Sequence, residues 1–242
     1  MHCFYIETPT EALALLSEEE AKHAVKVLRL RPGDRVCAMD GAGRRWDACL
    51  ERISEDGVML RLADLLPDNE PPVRVTVYQG LPKADKMEYI VQKLTELGAA
   101  VLAPVTMDRC VVKPDGWDSP KRLQRLERIA REAAKQCRRA YPLQVLPLLT
   151  WRQALERLPA HDAVLVPWED AADCRIKDVY ADRPGVKDIG IVVGSEGGMS
   201  ESEVRALTER GALAVTLGPR ILRTETASVV SAALVMQLWG DL

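Results

Sequence analysis

The sequence has 242 residues, 47% of them hydrophobic, and a formal net charge of −3. This length allows one large domain or two small ones with a packed core, and the negative charge argues against nonspecific nucleic-acid binding by the whole molecule. No stretch approaches the roughly 20 apolar residues of a membrane helix, and the N-terminus lacks the pattern of a signal peptide. We therefore expect a soluble, cytoplasmic protein that does not bind a membrane.

The cysteines indicate neither a metal site nor a disulfide framework. There are six of them, at positions 3, 37, 49, 110, 137 and 174, and the chain has three histidines. The cysteines are widely spaced and form no C-x-x-C pair, so zinc and structural disulfides are not predicted. We expect reduced cysteines, mostly in the core.

The first 70 residues predict a small β domain, with a spacing typical of a β-barrel. Short apolar runs at 3–6, 35–39, 46–53 and 58–62 are separated by turns rich in glycine, proline and aspartate. Ser17, followed by Glu20 three residues later, has the pattern of a helix N-cap. A linker at 67–72 follows, so the predicted domains are residues 1–70 and 73–242.

Beyond the linker, strand and helix patterns alternate. Strands are predicted near 73–78, 101–105, 143–146, 163–166, 189–193 and 214–217, and a helix at 85–97. This alternation predicts an α/β domain with a parallel sheet. No G-x-G-x-x-G follows the first strand, and there is no Walker loop or G-x-S-x-G elbow, which disfavours a dinucleotide-binding site.

A strongly basic segment runs from Lys121 to Arg139. Eight Lys or Arg residues and two Glu residues give it a local charge of +6, within a chain of net charge −3. Ser119 and Pro120 predict the start of a helix, with an apolar stripe facing inward and the basic residues facing outward. From the residues alone this surface is a solvated basic face, and with an RNA substrate, as implied by the resemblance described below, it becomes a contact surface for phosphates.

Two glycine-containing turns follow the last two predicted strands. The first, at 194–200, follows an apolar strand and ends at Ser200, which with Glu203 has the spacing of a capping box. The second, at 218–226, combines Gly218 with charged and apolar residues. Glycines allow the backbone to approach a flat or anionic ligand closely, so the two turns are predicted to wall one pocket, although a glycine turn alone is equally typical of a plain βα connection.

The final helix is apolar on nearly every side, from Val229 to Trp239. Such a helix is expected to be buried all round, at the centre of the domain or at a subunit interface.

Several ungapped motifs resemble the RsmE family of the SPOUT superfamily. They are the segments 194–200 (GSEGGMS) and 217–227 (LGPRILRTETA), together with 80–83, 85–88, 92–93, 95–98, 132–136 and 27–29. Members of that family methylate N3 of a uridine in small-subunit (16S) ribosomal RNA. The resemblance spans nearly the whole chain, with two departures: Ser195 stands where the family usually has proline, and Cys3 where it usually has an arginine, one of its presumed RNA contacts.

The resemblance implies a fold, a cofactor and partners. The expected fold is a parallel SPOUT sheet with a deep trefoil knot near the C-terminus, preceded by a PUA-like barrel that binds RNA. The expected cofactor is S-adenosyl-L-methionine, and the expected partners are small-subunit ribosomal RNA, naked or in the 30S subunit, and a second copy of the chain in a homodimer.

The resemblance also implies site residues. Those expected to hold the cofactor are Gly194, Ser195, Glu196, Gly197, Gly198, Leu217, Gly218, Ile221, Leu222 and Arg223. Those expected to contact RNA are Arg29, Lys83, Lys86, Arg122, Arg125, Arg138 and Arg139.

Methylation of uracil N3 requires removal of its proton and stabilisation of the resulting anion. Arg223 is the candidate cation, with Arg220 and Arg139 behind it, and Glu196 or Glu225 is the candidate base. Either carboxylate could instead bind backbone N–H groups at its turn or helix N-terminus. Rival readings are another methylated position such as a ribose 2′-OH, a noncatalytic RNA-binding assembly factor, and a protein with a different small ligand.

Overall fold

The computed structural model describes residues 1–7, 9, 12–112, 117, 119–171 and 173–242. The chain forms two compact units. The first contains Met1–Glu70 and Ala134–Pro142, and the second contains Pro71–Ala133 and Leu143–Leu242. Residues 134–142 lie within the predicted second domain, whereas in the structure this segment groups with the first unit.

The first unit is a five-stranded sheet with one short helix. Its elements are β1 (Cys3–Tyr5), β2 (Leu13–Leu15), α1 (Glu18–Lys22), a π-helical turn (His23–Val27), β3 (Arg35–Met39), β4 (Arg45–Ser54) and β5 (Gly57–Leu65). The strand order is β1-β3-β4-β5-β2. A bridge between Ile6 and Leu16, just beyond the two outer strands, closes the sheet into a barrel.

Alternation along the strands fills the barrel. Val36 and Ala38 of β3 point to the interior, where they meet Leu50 of β4 and Leu60 of β5, as expected for strands with a period of two. Ser17 caps α1, since its side chain accepts a hydrogen bond from the Glu20 N–H. Composition predicted the strands except β2, which has only three residues.

The second unit is a six-stranded parallel sheet. Its strands are β6 (Arg74–Gly80), β7 (Val101–Val105), β8 (Gln144–Val145), β9 (Ala163–Pro167), β10 (Asp188–Val193) and β11 (Leu213–Val215). They are arranged in the order β11-β9-β10-β6-β7-β8, and every pairing is parallel. This confirms the predicted α/β class with a parallel sheet.

Helices cover both faces of this sheet, as a parallel sheet requires. They are α2 (Ala84–Glu96), α3 (Pro120–Cys137), α4 (Trp151–Arg157), α5 (Ile176–Asp182), α6 (Glu201–Thr208) and α7 (Thr224–Trp239). Side chains of α2, α3, α5 and α7 build the core on one face, and side chains of α4 and α6 build the core on the other. The short helices α4 and α5 were not predicted.

Only one side of α7 is buried within this chain. Its inward residues include Ala232, Val235 and Met236, which have no exposed surface. On the other side, apolar residues are half-buried, and they are Val229, Val230, Ala233, Leu234 and Leu238. Within the single chain α7 is therefore not buried all round, and burial of its other side at a subunit interface stays a prediction.

Within the described ranges, no helix is both long and apolar enough to cross a membrane.

Candidate active site

The first turn is closely packed, and its backbone lies directly against other backbone atoms of the protein. It connects β10 to α6, and the Gly198 N–H donates to the Ser195 carbonyl at 3.0 Å. A Cβ at Gly194 would lie 2.7 Å from the backbone of Gly198, and one at Gly197 would lie 2.6 Å from the carbonyl oxygen of Arg109. Because Cβ atoms are not found at such distances, these two positions require glycine.

The capping box predicted at the end of this turn is present. The Ser200 side chain accepts from the Glu203 N–H, and the Glu203 side chain accepts from the Ser200 N–H. These bonds satisfy two of the donors that a helix N-terminus leaves open, and α6 therefore begins at Glu201.

The second turn, which connects β11 to α7, is mostly exposed. Gly218 has φ +108° and no atom near the position of a Cβ, so its conformation rather than space favours glycine. Its N–H donates to Thr216 Oγ1 at 3.1 Å. Ile221 is 87% exposed, a high value for a large apolar side chain.

A buried glutamine of β6 joins the two turns. The Gln79 amide donates to the Gly194 carbonyl at 3.2 Å and to Thr224 Oγ1 at 2.8 Å, and it accepts a hydrogen bond from Ser228. Thr224 itself donates to the Gly194 carbonyl at 2.5 Å. Gln79 therefore fixes the end of the first turn against the start of α7 without any charged group.

The two turns enclose a cleft of about 360 Å³. All the residues that the sequence analysis expects to hold a cofactor line it, from both turns. A third wall of the cleft, which was not predicted, is formed by Pro167, Trp168 and Glu169 at the end of β9. The predicted strand near 163–166 could have indicated this wall, since the carboxyl ends of parallel strands meet at one edge of a sheet and ligands bind there.

Lys86 of α2 lies between the two candidate bases. Its Nζ is 3.3 Å from Glu196 Oε1 and 3.0 Å from Glu225 Oε2. The hydrogen bond to Glu225, reinforced by Glu196, raises the pKa of Lys86, so the lysine stays charged. Lys86 also lines the cleft, and the RNA contact expected of it stays a prediction.

The Glu196 carboxylate is held in its charged form. Burial raises its pKa, but hydrogen bonds from backbone N–H groups, including that of Lys83 at 3.1 Å, and the charge of Lys86 outweigh burial and lower the pKa overall. Its Oε2 atom is buried and has no hydrogen-bond partner in the described part of the protein. Glu225 does not line the cleft.

The other residues expected to contact RNA are in different environments. The side chains of Arg29, Lys83 and Arg138 are exposed. Arg125 is paired with Glu88 at 2.8 Å, and the guanidinium of Arg122 stacks on Trp117, 3.7 Å from the ring centre.

Arg139 was expected to contact RNA and to stand behind Arg223 as a cation, but in the structure it is buried. It is only 5% exposed and makes several hydrogen bonds to the Glu70 carboxylate, the shortest of 2.6 Å. A guanidinium that is buried and paired in this way is not available to RNA or to a uracil anion. Lys135, predicted to face outward, is likewise paired with Glu20 at 3.0 Å.

No group of three or more His, Cys, Asp or Glu side chains that could hold a metal ion occurs among the residues described. The six cysteines are free thiols, and Cys3 is buried beside its register partner Cys37.

The fold and the cleft define a class of protein, and comparisons with known families agree. Residues 69–236 match the family described as "RNA methyltransferase domain", and residues 16–62 match "RNA methyltransferase PUA domain". The chain thus has the two-domain organisation of an RNA methyltransferase that carries a PUA domain.

Individual relatives narrow the class. The chain is 39% identical to the ribosomal RNA small subunit methyltransferase E of Mycobacterium bovis, over 94% of this chain and 88% of that protein. It is 36% identical to that of Bacillus subtilis, over 91% and 87%. A crystal structure of the Neisseria gonorrhoeae protein bound to S-adenosyl methionine superposes with a TM-score of 0.88, at 32% identity, over 100% of this chain and 99% of that one. The chain belongs to the ribosomal RNA small subunit methyltransferase E family.

Proposed function

We propose that this protein transfers a methyl group from S-adenosyl-L-methionine to N3 of a uracil in 16S ribosomal RNA of the small subunit. The observation that supports this most is the cleft, because its two turns bring together all the residues that the family resemblance assigns to the cofactor. The similarity to a structure that contains this cofactor, over the whole chain, supports the same reading.

The residues present fit this cofactor. Gly194 and Gly197 leave no space for a side chain, because a Cβ at either position would meet the backbone of Gly198 or Arg109. Glycine at these positions therefore fixes the shape of the turn that lines the cleft. The buried Oε2 of Glu196, which has no hydrogen-bond partner among the described residues, is an acceptor for a hydroxyl or amino group of the ligand. The second turn would cover the opposite side, with Leu217, Leu222 and Ile221 supplying apolar contact.

When bound, the sulfonium of the cofactor supplies an electrophilic methyl group. The protein must then align uracil N3 with that methyl group and favour the N3 anion. Arg223 lines the cleft, and we assign it the role of the cation that stabilises the anion at the uracil carbonyl oxygens. Arg220, which also lines the cleft, is the second candidate for this cation.

The two carboxylates are weaker candidates for the base than the sequence suggested. Both interact with Lys86, and Glu196 also accepts the Lys83 N–H. We therefore propose that Glu196 holds the cofactor and that Lys86 positions both carboxylates. The N3 proton then leaves to water or to Glu225, the remaining candidate base.

We propose that residues 1–70 bind RNA as a PUA-like domain and that residues 73–242 carry the catalytic site. The exposed cations Arg29 of the first segment and Lys83 of the second are the RNA contacts that we retain. Arg138 is a third, in a segment that groups with the first unit.

We also propose a trefoil knot in the C-terminal part. The supporting observation is that the chain leaves β11 at the edge of the sheet and returns to the centre, where Thr224 and Ser228 bond to Gln79 of β6. Stretching a single molecule by its two ends tests this. A knot would leave the extended chain shorter than about 3.6 Å per residue allows, whereas an unknotted chain would reach its full length.

The half-buried apolar side of α7 supports a homodimer, since a second copy could cover Val230 and Leu234. Sedimentation equilibrium of the wild type and of Leu234→Glu tests this, and a wild-type monomer at all concentrations would contradict it. We also propose a cytoplasmic location, because the proposed substrate belongs to the ribosome, and fractionation of cells can check it.

The decisive experiment uses cells that lack the gene. Nucleoside mass spectrometry and primer extension on their 16S RNA should show that N3-methyluridine is missing, and purified protein with labelled cofactor should restore it. Naked RNA and assembled 30S subunits are compared as substrates in the same assay. Label on a ribose 2′-OH would establish a different methyltransferase, and RNA binding without any transfer would establish an assembly factor.

A further inference from the structure

The segment Thr106–Cys110, which we name the strap, follows β7 and lies against the first turn of the cleft. It has no regular secondary structure, and it is at the carboxyl edge of the sheet, where β6, β9 and β10 also end. Met107 is 4% exposed, while Asp108 and Arg109 are exposed. The strap is therefore anchored on one side and open to solvent on the other.

Ser195 makes the central anchor. Its hydroxyl donates to the Arg109 carbonyl at 2.9 Å and accepts from the Gly197 N–H at 3.4 Å. Ser195 is 4% exposed, and its hydroxyl is engaged in these two hydrogen bonds within the protein. This is the position at which the family usually carries proline, which has no hydroxyl to make such a bond.

Two further contacts fix the strap to the start of α6. The Asp108 N–H donates to Glu203 Oε1 at 2.8 Å, and the Asp108 carboxylate accepts from the Ser200 hydroxyl at 3.0 Å. The backbone of Arg109 also fills the space beside Gly197, because a Cβ there would lie 2.6 Å from the Arg109 carbonyl and 2.9 Å from its Cβ. The strap and the first turn thus form one unit.

These contacts hold the backbone of Arg109 beside the cleft but leave its guanidinium open. The guanidinium has no ion-pair partner within the described ranges of the chain, whereas Lys86 in the cleft is paired with two carboxylates. An exposed, uncompensated cation on an anchored backbone is suited to a phosphate, which accepts several hydrogen bonds from a guanidinium.

We propose that Arg109 contacts a phosphate of the RNA next to the target nucleotide, and that the Ser195 hydroxyl is the positioning residue that holds the strap for this contact. The proposal rests on the function proposed above, because it needs RNA as the partner. It adds an RNA contact to the proposed function, and this contact depends on both the strap and the first turn. RNA binding at the strap and cofactor binding at the first turn would therefore both depend on Ser195.

The test compares Arg109→Gln with Arg109→Lys, which keeps the charge, and with Arg152→Gln. Arg152 is an exposed arginine of α4 whose side chain is 89% exposed, and it serves as the control. RNA affinity is measured by filter binding at several salt concentrations, and cofactor affinity by calorimetry. We expect Arg109→Gln to weaken RNA binding about 10-fold and to reduce the salt slope by about one, as for loss of one phosphate contact.

Cofactor affinity should stay within about twofold in Arg109→Gln, and Arg109→Lys should recover most of the RNA affinity. Equal RNA affinity for Arg109→Gln and Arg152→Gln would overturn the assignment of Arg109.

Ser195 is tested by removing its hydroxyl in Ser195→Ala and retaining it in Ser195→Thr. Ser195→Ala should weaken RNA binding several-fold, more than cofactor binding, and should speed hydrogen exchange of the Asp108 and Cys110 amides, with Ser195→Thr closer to the wild type. A loss confined to cofactor binding would overturn the positioning role. If the wild type transfers no methyl group, the proposed function fails, and the RNA-binding measurements still decide whether Arg109 contacts RNA.

Discussion

The two turns of the cleft are similar in sequence pattern and opposite in structure. The first is enclosed by β6, the strap and the start of α6, so its shape is set before a ligand arrives. The second has few bonds of its own and exposes Ile221 almost completely. One wall of the pocket is therefore preorganised and the other is left to be completed by a ligand or a partner, and preorganisation reduces the ordering cost of binding.

The largest effect is expected from filling the first turn. In Gly197→Val, the new side chain would collide with the Arg109 carbonyl, since even a Cβ lies 2.6 Å from it. We expect calorimetry to show at least a 100-fold loss of cofactor affinity, about 2.7 kcal/mol.

Gly218→Ala is the matched change in the second turn. No atom lies within 4 Å of the new Cβ, and the cost in stability comes from φ +108° alone, which is on the order of 1 kcal/mol.

For Gly197→Val, near-normal cofactor affinity together with an unchanged melting temperature would show that the first turn is not closed.

The next largest effect concerns the link between the turns. Gln79→Leu removes the donor to Gly194 and Thr224 and leaves buried polar atoms with fewer partners, each at about 1–3 kcal/mol. We expect lower unfolding free energy and about 10-fold weaker cofactor binding, measured by denaturant titration and calorimetry. Tyr78→Phe is the control, because its hydroxyl bonds His161 at 2.8 Å and no residue of either turn. If both variants bind the cofactor equally well, Gln79 does not position the turns.

Removing the charge of Lys86 should have a moderate effect with a pH signature. The pKa of Glu196 is lowered from 4.5, so its contribution to stability is complete above that value and is lost as pH falls through the lowered pKa. In Lys86→Met the pKa of Glu196 rises toward the unfolded value of 4.5, so the variant should be less stable than the wild type above pH 4.5 and should lose less stability as the pH falls below it. Thermal melts between pH 3 and 6 test this, with Lys86→Arg expected to resemble the wild type. If the pH dependence of stability in acid is the same in Lys86→Met and the wild type, Lys86 does not lower the pKa of Glu196.

The smallest effect is expected from the exposed wall. Ile221→Ser should change the stability of the free protein by less than about 0.5 kcal/mol, because the side chain is exposed. It should nevertheless reduce the rise in melting temperature that saturating cofactor produces, since the open turn is completed only on binding. A drop in the melting temperature of the free protein would show that the second turn is already packed.

Much of this cleft was accessible from the sequence, because glycines and capping residues act locally. The pattern of Gly194, Gly197 and Gly198 after an apolar strand defines a turn whatever the rest of the chain does, and the Ser200–Glu203 box marks its end. The parallel sheet follows in the same way from alternating strand and helix patterns, since parallel strands need long crossovers.

The rest depends on partners that are distant in the chain. Gln79 lies in an apolar strand, and only the fold brings it to Gly194 and Thr224, 115 and 145 residues away. Lys86 was expected to contact RNA from the family resemblance, and the sequence does not show that Glu196 and Glu225, which are distant in the chain, face it. Arg139 belongs to a basic run in sequence, yet Glu70, 69 residues earlier, pairs with it.

Helix α7 connects the cleft with the apolar surface at which we propose that a second copy binds. This helix begins at the cleft, where Thr224 bonds to Gln79, and its half-buried apolar side extends from Val229 to Leu238. If a second copy covers that side, dilution would uncover it and loosen the start of the helix at the same time. Specific activity would then fall in very dilute assays, and titrations with cofactor at nanomolar and micromolar protein would give different affinities.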